Sequence, residues 1–454
     1  MTAALRSAPS TPAARPTAGL GAALRSSLLT AAAPERHGVV RGVVGLAVDV
    51  AGLRSGVGEI VSLGSAPAVR AEVIAARADG VRCMPLDPAP ALRVGQPARA
   101  ERGRGVPVGP GLLGRVVDAL GDPLDGLGPL EGVVRVPLEH PVPSALDRAP
   151  IDTPLATGVR AIDAFTPIGR GQRIGLFAGS GVGKSSLLSM VARGTDADVI
   201  VLALIGERGR EVREFIERDL GPEGLARSVV VVSTSDDPAV RRRRGALAAT
   251  RIAEGFRDEG RHVLLMMDSV TRMAMAQREI GLSAGELPAT RGYPPSTFSV
   301  LAQLVERAGT AERGSITGVY TVLVDGDDHN EPVADAVRSY LDGHIVLDRA
   351  LAVADHHPAI DVLGSVSRVA GRIVDDGHRA ALAGVRAAMA AHRSARDLID
   401  VGAYPAGSDR RVDAVIAHRA ELAALLVQHL DDLTPPAETR ARLGRLAALL
   451  GGAA

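Results

Sequence analysis

The sequence predicts an α/β protein with three structured parts: a small N-terminal β-barrel, a core on a mostly parallel sheet, and a C-terminal helical domain. Short valine-rich segments broken by glycines dominate the first hundred residues, strand and helix candidates alternate through the middle, and leucine and valine recur at helical spacing beyond Asp375. We place these parts at residues 35–105, 106–370 and 371–454, after a flexible N-terminal arm at residues 1–34.

Composition restricts the class of protein. At 454 residues the chain is too long for one core, and 46% hydrophobic with 23% charged residues is typical of a soluble globular protein. The formal net charge of zero argues against bulk capture of nucleic acid. No run of about 18 apolar residues predicts a membrane span. The single cysteine, Cys83, excludes internal disulfides, and we expect a packed or surface thiol.

The N-terminal arm is rich in Ala, Ser, Thr and Pro and contains no acidic residue. Leu20, Leu24 and Leu28 recur every four residues, a spacing that a short amphipathic helix would have. Three interpretations stay open: a disordered arm, a helix that docks on a partner or a membrane, or a targeting peptide, since acid-poor starts rich in Arg and Ser also mark transit peptides. We favour disorder in the isolated chain.

The segment from Val39 to about Arg104 contains short strand candidates separated by glycines, which indicates a small closed barrel. The candidates are Val39–Val40, Val43–Val44, Leu46–Val48, Glu59–Val61 and Ala71–Val73. A strand and a turn follow at Gly111–Asp118 and Gly121–Gly126, and a long linker then runs from Pro137 to Pro154.

Six apolar segments between residues 155 and 370 are candidates for buried strands. Helical segments fall between several of them, which predicts βαβ units and a largely parallel sheet. The strand candidates are Arg173–Ala178, Val199–Ile205, Ser228–Ser233, Val263–Met267, Gly318–Val324 and Ile345–Leu347. Beyond Asp375, apolar residues at helical spacing predict several helices, the last of them at Leu443–Leu450.

A glycine-rich stretch, Phe177-Ala-Gly-Ser-Gly-Val-Gly-Lys-Ser-Ser186, joins a strand candidate to a helix candidate. Glycines let backbone N–H groups turn toward an anion, and the N-terminal end of the next helix carries partial positive charge. We expect Lys184 to reach the terminal phosphates of a nucleotide and Ser185 to hold Mg²⁺. Ala178 stands where a glycine is usual, and a turn that binds nothing is the alternative. The residues expected to bind nucleotide are Gly179, Ser180, Gly181, Val182, Gly183, Lys184, Ser185 and Ser186.

Lysine usage sharpens this prediction. The chain has 52 Lys and Arg residues, and Lys184 is the only lysine among them. The two residue types are not interchangeable where a compact point charge must enter a tight loop. A lone lysine at this position therefore favours phosphate binding over a structural turn.

Two acids that end apolar strand candidates complete the predicted chemistry. Asp268 follows Val263–Met267, and Glu207 follows Val199–Ile205. The carboxyl ends of parallel strands share the sheet edge at which the glycine loop opens. We expect Asp268 to hold the Mg²⁺ shell and Glu207 to act as the general base or to position water. The alternatives are a helix-capping role for Asp268 and a surface position for Glu207, and we expect Glu211 to pair with Arg208 or Arg272.

Several motifs together resemble the flagellar and type III secretion export ATPases, which are relatives of the catalytic subunit of rotary ATP synthases. The resemblance covers about residues 38–430, and Asp325–Pro332 followed by Asp342–Leu347 favours the export branch. The motifs that carry it are Thr157–Asp163, Gly169–Gly175, Phe177–Ser185, Gly206–Glu211, Pro294–Ser296 and Asp325–Pro332.

The resemblance implies a small barrel, a RecA-like P-loop ATPase core and a C-terminal helical domain, assembled as a homo-hexamer with ATP and Mg²⁺ between subunits. It places Lys184 at the phosphates, Ser185 and Asp268 at the metal, and Glu207 at the water. Gly364–Val369 matches the segment with the arginine finger, so Arg368 is expected to reach a neighbour's γ-phosphate. The implied catalytic residues are Lys184, Glu207, Arg208 and Arg368.

The adenine site departs from the family pattern. An aromatic residue usually precedes Pro-Ala-Ile-Asp, and His357 holds that position here. Because an imidazole stacks less area, Tyr404 is the alternative source of stacking. A metal site at His356 and His357 is a further alternative, although no third ligand stands at a suitable spacing.

The function implied by the resemblance is an ATP-hydrolysing motor of flagellar or type III protein export, which energises docking, unfolding or translocation of export substrates. Expected partners are other copies of the chain, cytoplasmic regulator and export-gate proteins, export substrates and their chaperones, and no nucleic acid. The expected location is the cytoplasm, peripherally associated with the inner face of the cell membrane.

Two other functions, an RNA translocase and a rotary synthase, compete with the export motor. A hexameric RNA translocase would need stacking aromatics in its barrel, and residues 38–104 contain no Phe, Tyr or Trp. Arg241–Arg244 resembles a nucleic-acid patch, but we interpret it as a solvated helix start. A rotary synthase would carry an Asp- and Glu-rich lever loop, which has no counterpart near Arg396–Asp400.

Overall fold

The structure is a computed structural model that describes residues 37–88, 92–101, 105–324 and 331–451. The N-terminal arm lies outside the described residues, as do residues 325–330 of the Asp325–Pro332 motif. What the sequence predicts for them stays a prediction.

The first six strands close into an antiparallel β-barrel. They are β1 (His37–Val44), β2 (Ala47–Ala51), β3 (Ile60–Leu63), β4 (Val69–Arg77), β5 (Gly80–Pro85) and β6 (Pro97–Ala100). Their order around the barrel is β1-β2-β5-β4-β3-β6, and alternate side chains such as Val40 and Val73 fill the interior. The predicted barrel is confirmed. The sequence missed β5 and β6, because Arg82 and Arg99 interrupt their short apolar patterns.

Cys83 lies inside this barrel, on β5. Burial raises the pKa of its thiol to about 12. Cys83 is therefore a packed thiol, as one of the two sequence interpretations held.

The remaining strands form the core sheet and two small flanking pairs. In chain order they are β7 (Val106–Val108), β8 (Val116–Asp118), β9 (Val134–Val136), β10 (Pro154–Leu155), β11 (Ile168–Gly169), β12 (Arg173–Ala178), β13 (Val199–Glu207), β14 (Ser228–Thr234), β15 (His262–Asp268), β16 (Gly309–Thr310), β17 (Ser315–Leu323), β18 (Gly343–Val346) and β19 (Val366–Ser367). The core sheet runs β19-β18-β12-β17-β15-β13-β14-β8, with β16 paired to β17. Every neighbouring pair from β18 to β8 is parallel. The predicted parallel sheet is confirmed, and all six predicted strands belong to it.

Helices cover both faces of this sheet and form the C-terminal part. They are α1 (Arg160–Phe165), α2 (Lys184–Gly194), α3 (Gly209–Glu214), α4 (Gly221–Ala226), α5 (Ala239–Asp258), α6 (Val270–Ala284), α7 (Pro295–Glu306), α8 (Pro332–Tyr340), α9 (Arg349–Val353), α10 (Ala370–Ile373), α11 (Asp376–Asp400), α12 (Arg410–Ala417), α13 (Arg419–Leu426) and α14 (Pro436–Gly451). Short 3₁₀ turns lie at Pro110–Leu112 and Thr290–Gly292, and a π-helical turn spans Phe215–Leu220. The predicted C-terminal helical region is confirmed.

The two faces of the sheet have separate hydrophobic cores. On β13, Leu202 and Leu204 point to the face covered by α1, α2 and the C-terminal helices, while Val201 and Ala203 point to the face covered by α5, α6 and α7. Since both faces are buried, the central strands are continuously apolar and show no alternation. Polar residues are concentrated where the strands end, and this is where the candidate site lies.

Two of the four arginines at the start of α5 join the barrel to the core. Arg243 and Arg244 both contact the buried carboxylate of Glu72 on β4, the second at 3.3 Å. Arg241 reaches Asp118, at the end of β8, at 2.5 Å. The prediction of a solvated helix start at Arg241–Arg244 is therefore wrong, although the segment does begin a helix. A run of four cations looks solvated in sequence because its acidic partners come from distant strands.

The described ranges hold no helix that combines the length and the apolar composition needed to cross a bilayer.

Candidate functional site

The glycine loop lies between β12 and α2, as predicted. Gly181 has φ of 79° and Gly183 has φ of 93°, both in the left-handed region that side chains disfavour. Gly183 is the N-cap of α2 and has no side chain to cap it, while Leu187 makes the first helical bond, to the Gly183 carbonyl at 3.0 Å. The first N–H groups of α2 therefore lack helical partners and face the loop, which forms an anion site.

Lys184, Glu207 and Asp268 meet below this loop, and we call them the loop cluster. The ammonium nitrogen Nζ of Lys184 lies 2.5 Å from Oδ1 of Asp268 and 3.2 Å from Oε1 of Glu207. The side chains of Lys184 and Glu207 are 12% and 19% exposed, and that of Asp268 is 6% exposed. The structure thus brings together the lysine and both acids that the sequence singled out at separate strand ends.

Strand register explains how the two acids come together. β13 and β15 are adjacent and parallel, with Leu204 opposite Asp268. The register between β13 and β14 shifts at Gly206, whose φ is 77°, and this bulge turns Glu207 toward the loop. A Cβ at Gly206 would lie 2.8 Å from the Cβ of Arg272, so both backbone angle and packing require glycine there.

The helix-capping alternative for Asp268 fails. The N-cap of α6 is Ser269, whose hydroxyl accepts from the Arg272 amide at 3.3 Å. The Asp268 carboxylate instead accepts from Lys184 and from the hydroxyl of Thr321, the latter at 2.7 Å. Glu207 is likewise not a simple surface acid, because it is paired with Lys184.

The electrostatic balance of the loop cluster is unequal. Burial lowers the pKa of Lys184, but the charges of Asp268 and Glu207 outweigh it and hold that pKa above its usual value, so the ammonium stays charged. Burial raises the pKa of Asp268; Lys184 opposes this rise and Glu207 adds to it. Two carboxylates that share one ammonium give a site that favours an additional cation.

The donor set suits Mg²⁺ in particular. Mg²⁺ is usually held by one or two carboxylates together with phosphate and water oxygens, and rarely by a cage of protein ligands. Asp268 supplies a buried carboxylate, and Ser185 presents an exposed hydroxyl in the first turn of α2. Within the described part of the chain, no group of three or more His, Cys, Asp or Glu side chains could hold a metal ion.

Two residues near the loop were missed by sequence reasoning. Thr321, on the central strand β17, is fully buried and orients the Asp268 carboxylate. Arg349, the first residue of α9, donates from Nη1 to the Ser180 carbonyl of the glycine loop at 3.2 Å. A threonine inside an apolar strand is a weak signal for a polar contact, and nothing in the sequence marked Arg349 among so many arginines.

His357 lies beside the loop, as its predicted role in nucleotide binding requires. Its Nδ1 is 3.9 Å from the point where a Cβ on Gly183 would lie, and its side chain is 49% exposed. Tyr404 belongs to the C-terminal helical region, where its hydroxyl lies 3.2 Å from the Asp413 carboxylate and from the Asp409 carbonyl. The share of each in adenine stacking stays a prediction.

Arg208, another predicted catalytic residue, lies on the surface, and the loop residues differ in exposure. Arg208 is 70% exposed and pairs with Glu211 at 3.3 Å, which is the pairing that the sequence suggested. Ser186 and Ser180 are exposed at the loop, while Val182 is buried beneath it.

Arg368 lies at the opposite edge of the sheet. Its amide donates to the Asp342 carbonyl at 2.9 Å, and the Asp342 carboxylate accepts from the amide of Arg173, the first residue of β12. The glycine loop follows the last residue of β12, roughly 17 Å away at the usual rise per strand residue. Arg368 is exposed, and its main chain lies at the other end of β12 from the glycine loop.

Two family models match the chain. The model of the ATP synthase alpha/beta family, nucleotide-binding domain, matches residues 158–367, which include the glycine loop and both acids. The model of the T3SS EscN ATPase C-terminal domain matches residues 374–445, the C-terminal helical region.

Relatives and solved structures agree with these matches. The flagellum-specific ATP synthase of Bacillus subtilis (strain 168) is 48% identical over 422 residues, which is 92% of this chain and 96% of that protein. The type 3 secretion system ATPase of Xanthomonas euvesicatoria is 47% identical over 90% of this chain and 94% of that protein. The assembled ATPase EscN of enteropathogenic E. coli matches with a TM-score of 0.85 at 42% identity, over 90% of this chain and 100% of that chain.

Proposed function

This chain belongs to the ATP synthase alpha/beta family, in its flagellum-specific and type III secretion branch, and we propose that it powers protein export by hydrolysing MgATP between subunits of a homo-hexamer. The observation that carries the proposal is the loop cluster, in which one lysine and two strand-end acids meet under a helix N-terminus. Members of this family hydrolyse ATP, and we propose the role of each residue in that reaction.

The glycine loop and Lys184 bind the phosphates. Backbone N–H groups of residues 179–186 surround the anion, and the Lys184 ammonium exchanges its contact with Glu207 for a terminal phosphate oxygen. Ser185 and Asp268 would hold Mg²⁺, which would neutralise part of the phosphate charge when bound. Thr321 keeps the Asp268 carboxylate in place through its 2.7 Å hydrogen bond.

Glu207 orients the attacking water and takes its proton. The bulge at Gly206 brings its carboxylate to the loop, and release from Lys184 on nucleotide binding leaves an oxygen to accept the proton. Arg208 follows it directly and neutralises charge at the entrance of the site.

Arg368 acts on the nucleotide of a neighbouring subunit. Its place at the amino edge of the sheet, away from its own loop, supports contact with the γ-phosphate held by another copy. The EscN ATPase was solved as an assembled protein, and also in complex with its central stalk EscO at a TM-score of 0.84 to this chain. We propose a comparable ring here, with His357 and Tyr404 holding the adenine at the subunit boundary.

The wider setting follows from the family. We propose that the ring acts in the cytoplasm, peripherally on the inner face of the membrane, and that it contacts regulator and export-gate proteins, export substrates and chaperones. Residues 1–34 are a candidate contact for the regulator.

The proposal is tested by Glu207→Gln, which keeps the size of the side chain but removes its basicity. The variant should bind MgATP with an affinity near wild type and hydrolyse it roughly 100- to 1,000-fold more slowly, since loss of a positioned base has effects of this order. Glu217→Gln, which changes an exposed acid paired with Arg213, is the matched control and should retain wild-type turnover. Near-normal hydrolysis by Glu207→Gln would remove Glu207 from its role.

The trans role of Arg368 is tested by mixing. Arg368→Ala subunits alone should form rings with little activity, and addition of Lys184→Ala subunits, which carry an intact Arg368 but a defective loop, should restore part of it. Failure of the mixture to exceed the sum of its components would contradict action across the interface.

A further inference from the structure

Arg349 contacts the main chain of the glycine loop. It is the first residue of α9, a short helix whose N-cap Asp348 accepts from the Leu351 amide at 3.0 Å. From this position Nη1 of Arg349 donates to the main-chain carbonyl of Ser180 at 3.2 Å. The contact links the loop to the segment that also carries His357, although the two stretches are 169 residues apart in sequence.

The contact fixes the orientation of a peptide group. In a trans peptide the carbonyl of one residue and the N–H of the next point in opposite directions. Because the Ser180 carbonyl is directed to Arg349, the N–H of Gly181 points away from Arg349, on the other side of the peptide. That N–H is among the groups that would contact a phosphate.

The same peptide would otherwise be easy to turn over. Gly181 has φ of 79°, and no atom lies within 4 Å of the position that its Cβ would occupy. A glycine in open space has access to both signs of φ, so little steric resistance opposes rotation of the preceding peptide plane. Packing does not set the direction of the Gly181 N–H, and a hydrogen bond to the Ser180 carbonyl can.

We propose that Arg349 is a positioning residue for phosphate binding: it clamps the Ser180–Gly181 peptide with the Gly181 N–H turned toward the nucleotide. This inference rests on the proposed function, because it assigns a ligand to that N–H. The ligand class is the polyphosphate of a nucleoside di- or triphosphate. Arginine suits this task because its planar fork holds a fixed donor direction better than a flexible ammonium does.

The test compares Arg349→Ala with Val353→Ala in the full-length protein. Arg349→Ala should raise the Kd for MgADP and the KM for ATP about tenfold, with a smaller change in kcat, because the lost interaction serves ground state and transition state alike. Val353→Ala shortens an exposed side chain at the other end of the same helix and leaves Asp348 and Arg349 in place, so its KM should stay at the wild-type value. Binding is measured by displacement of a fluorescent nucleotide, and folding of both variants by thermal unfolding.

A second measurement separates clamping from the loss of a positive charge near the site. The tenfold weakening should persist in about 0.5 M salt, where interactions of exposed charges are screened. The inference is overturned if Arg349→Ala binds MgADP as tightly as wild type, if Val353→Ala reproduces its KM, or if salt abolishes the difference. Failure of wild type itself to bind MgADP more tightly than Lys184→Ala would instead overturn the proposed function.

Discussion

Two buried ion clusters lie near the carboxyl edge of the core sheet, and they differ in the ratio of their charges. The loop cluster has one cation, Lys184, between two carboxylates. The joint cluster has one carboxylate, Glu72, between Arg243 and Arg244, and it connects the barrel to α5. Glu72 is 2% exposed and Asp268 is 4% exposed, so the two clusters are buried to about the same extent.

The difference corresponds to two roles: the loop cluster suits ligand binding, and the joint cluster suits a permanent structural contact. The joint cluster uses planar guanidiniums, which bond a carboxylate in fixed directions and suit a permanent contact. The loop cluster uses a flexible ammonium that can exchange partners, and its surplus carboxylate suits a further cation. Burial alone does not distinguish the two, but charge ratio and cation type do.

The largest effect is expected from Lys184→Arg, which gives the loop cluster the cation type of the joint cluster. Charge is preserved, but the bulky fork cannot occupy the loop as a point charge, and turnover should fall roughly 100- to 1,000-fold, as for loss of one preorganised donor. Steady-state ATPase assays measure this, with thermal unfolding as the check on folding. Retention of more than about a tenth of the activity would show that any cation suffices there.

The next largest effect is expected from Glu72→Ala, which breaks the joint cluster. Removal of the carboxylate leaves two buried guanidiniums unpaired, and the free energy of unfolding should fall by about 3 kcal/mol or more. Asp79→Ala in the same barrel is the control: its pair with Arg41 is 70% exposed on both sides, and loss of such a pair costs at most about 1 kcal/mol. Urea denaturation followed by circular dichroism distinguishes the two, and equal losses would contradict the assignment.

The smallest effect concerns acid sensitivity and comes from neither cluster. His262, at the amino end of the strand that carries Asp268, is buried, and burial lowers its pKa to about 4. Because the folded state resists protonation of His262, neutral His262 contributes its full stabilisation above the unfolded pKa of 6.5. This contribution is lost as pH falls toward 4. From pH 7.5 to 5, wild type should lose about 2 kcal/mol more than His262→Gln.

That difference is measured by urea unfolding at each pH. Parallel pH profiles for wild type and His262→Gln would mean that the acid sensitivity originates elsewhere. The comparison between the two proteins is necessary because the pKa of buried Asp163 is raised to about 6, which changes stability in the opposite direction over the same range.

The chemistry of the site was readable in the sequence because its residues follow apolar strands. Glu207 and Asp268 each end a run that had to be a buried strand, and Lys184 follows another such strand across the glycine loop. The common carboxyl edge of a parallel sheet made their meeting predictable. Thr321 and Arg349 were missed, since one lies within a strand and the other contacts a main-chain carbonyl, which leaves no mark in sequence. Their partners depend on packing between segments distant in the chain.

The sequence by itself determined the order of the parts along the chain: a barrel, then a parallel core. It also determined that the core holds a glycine loop with the only lysine and two acids near it. Hydrophobic periodicity and glycine placement are local properties, so they can be read directly from the sequence. Only the tertiary structure decided that Arg243 and Arg244 contact the barrel, that Arg349 donates to the Ser180 carbonyl, and that Arg368 lies at the other end of the sheet from its own loop. Those facts depend on which distant charges and carbonyls the fold brings within a few ångströms, and electrostatic and hydrogen-bond energies are set by that distance.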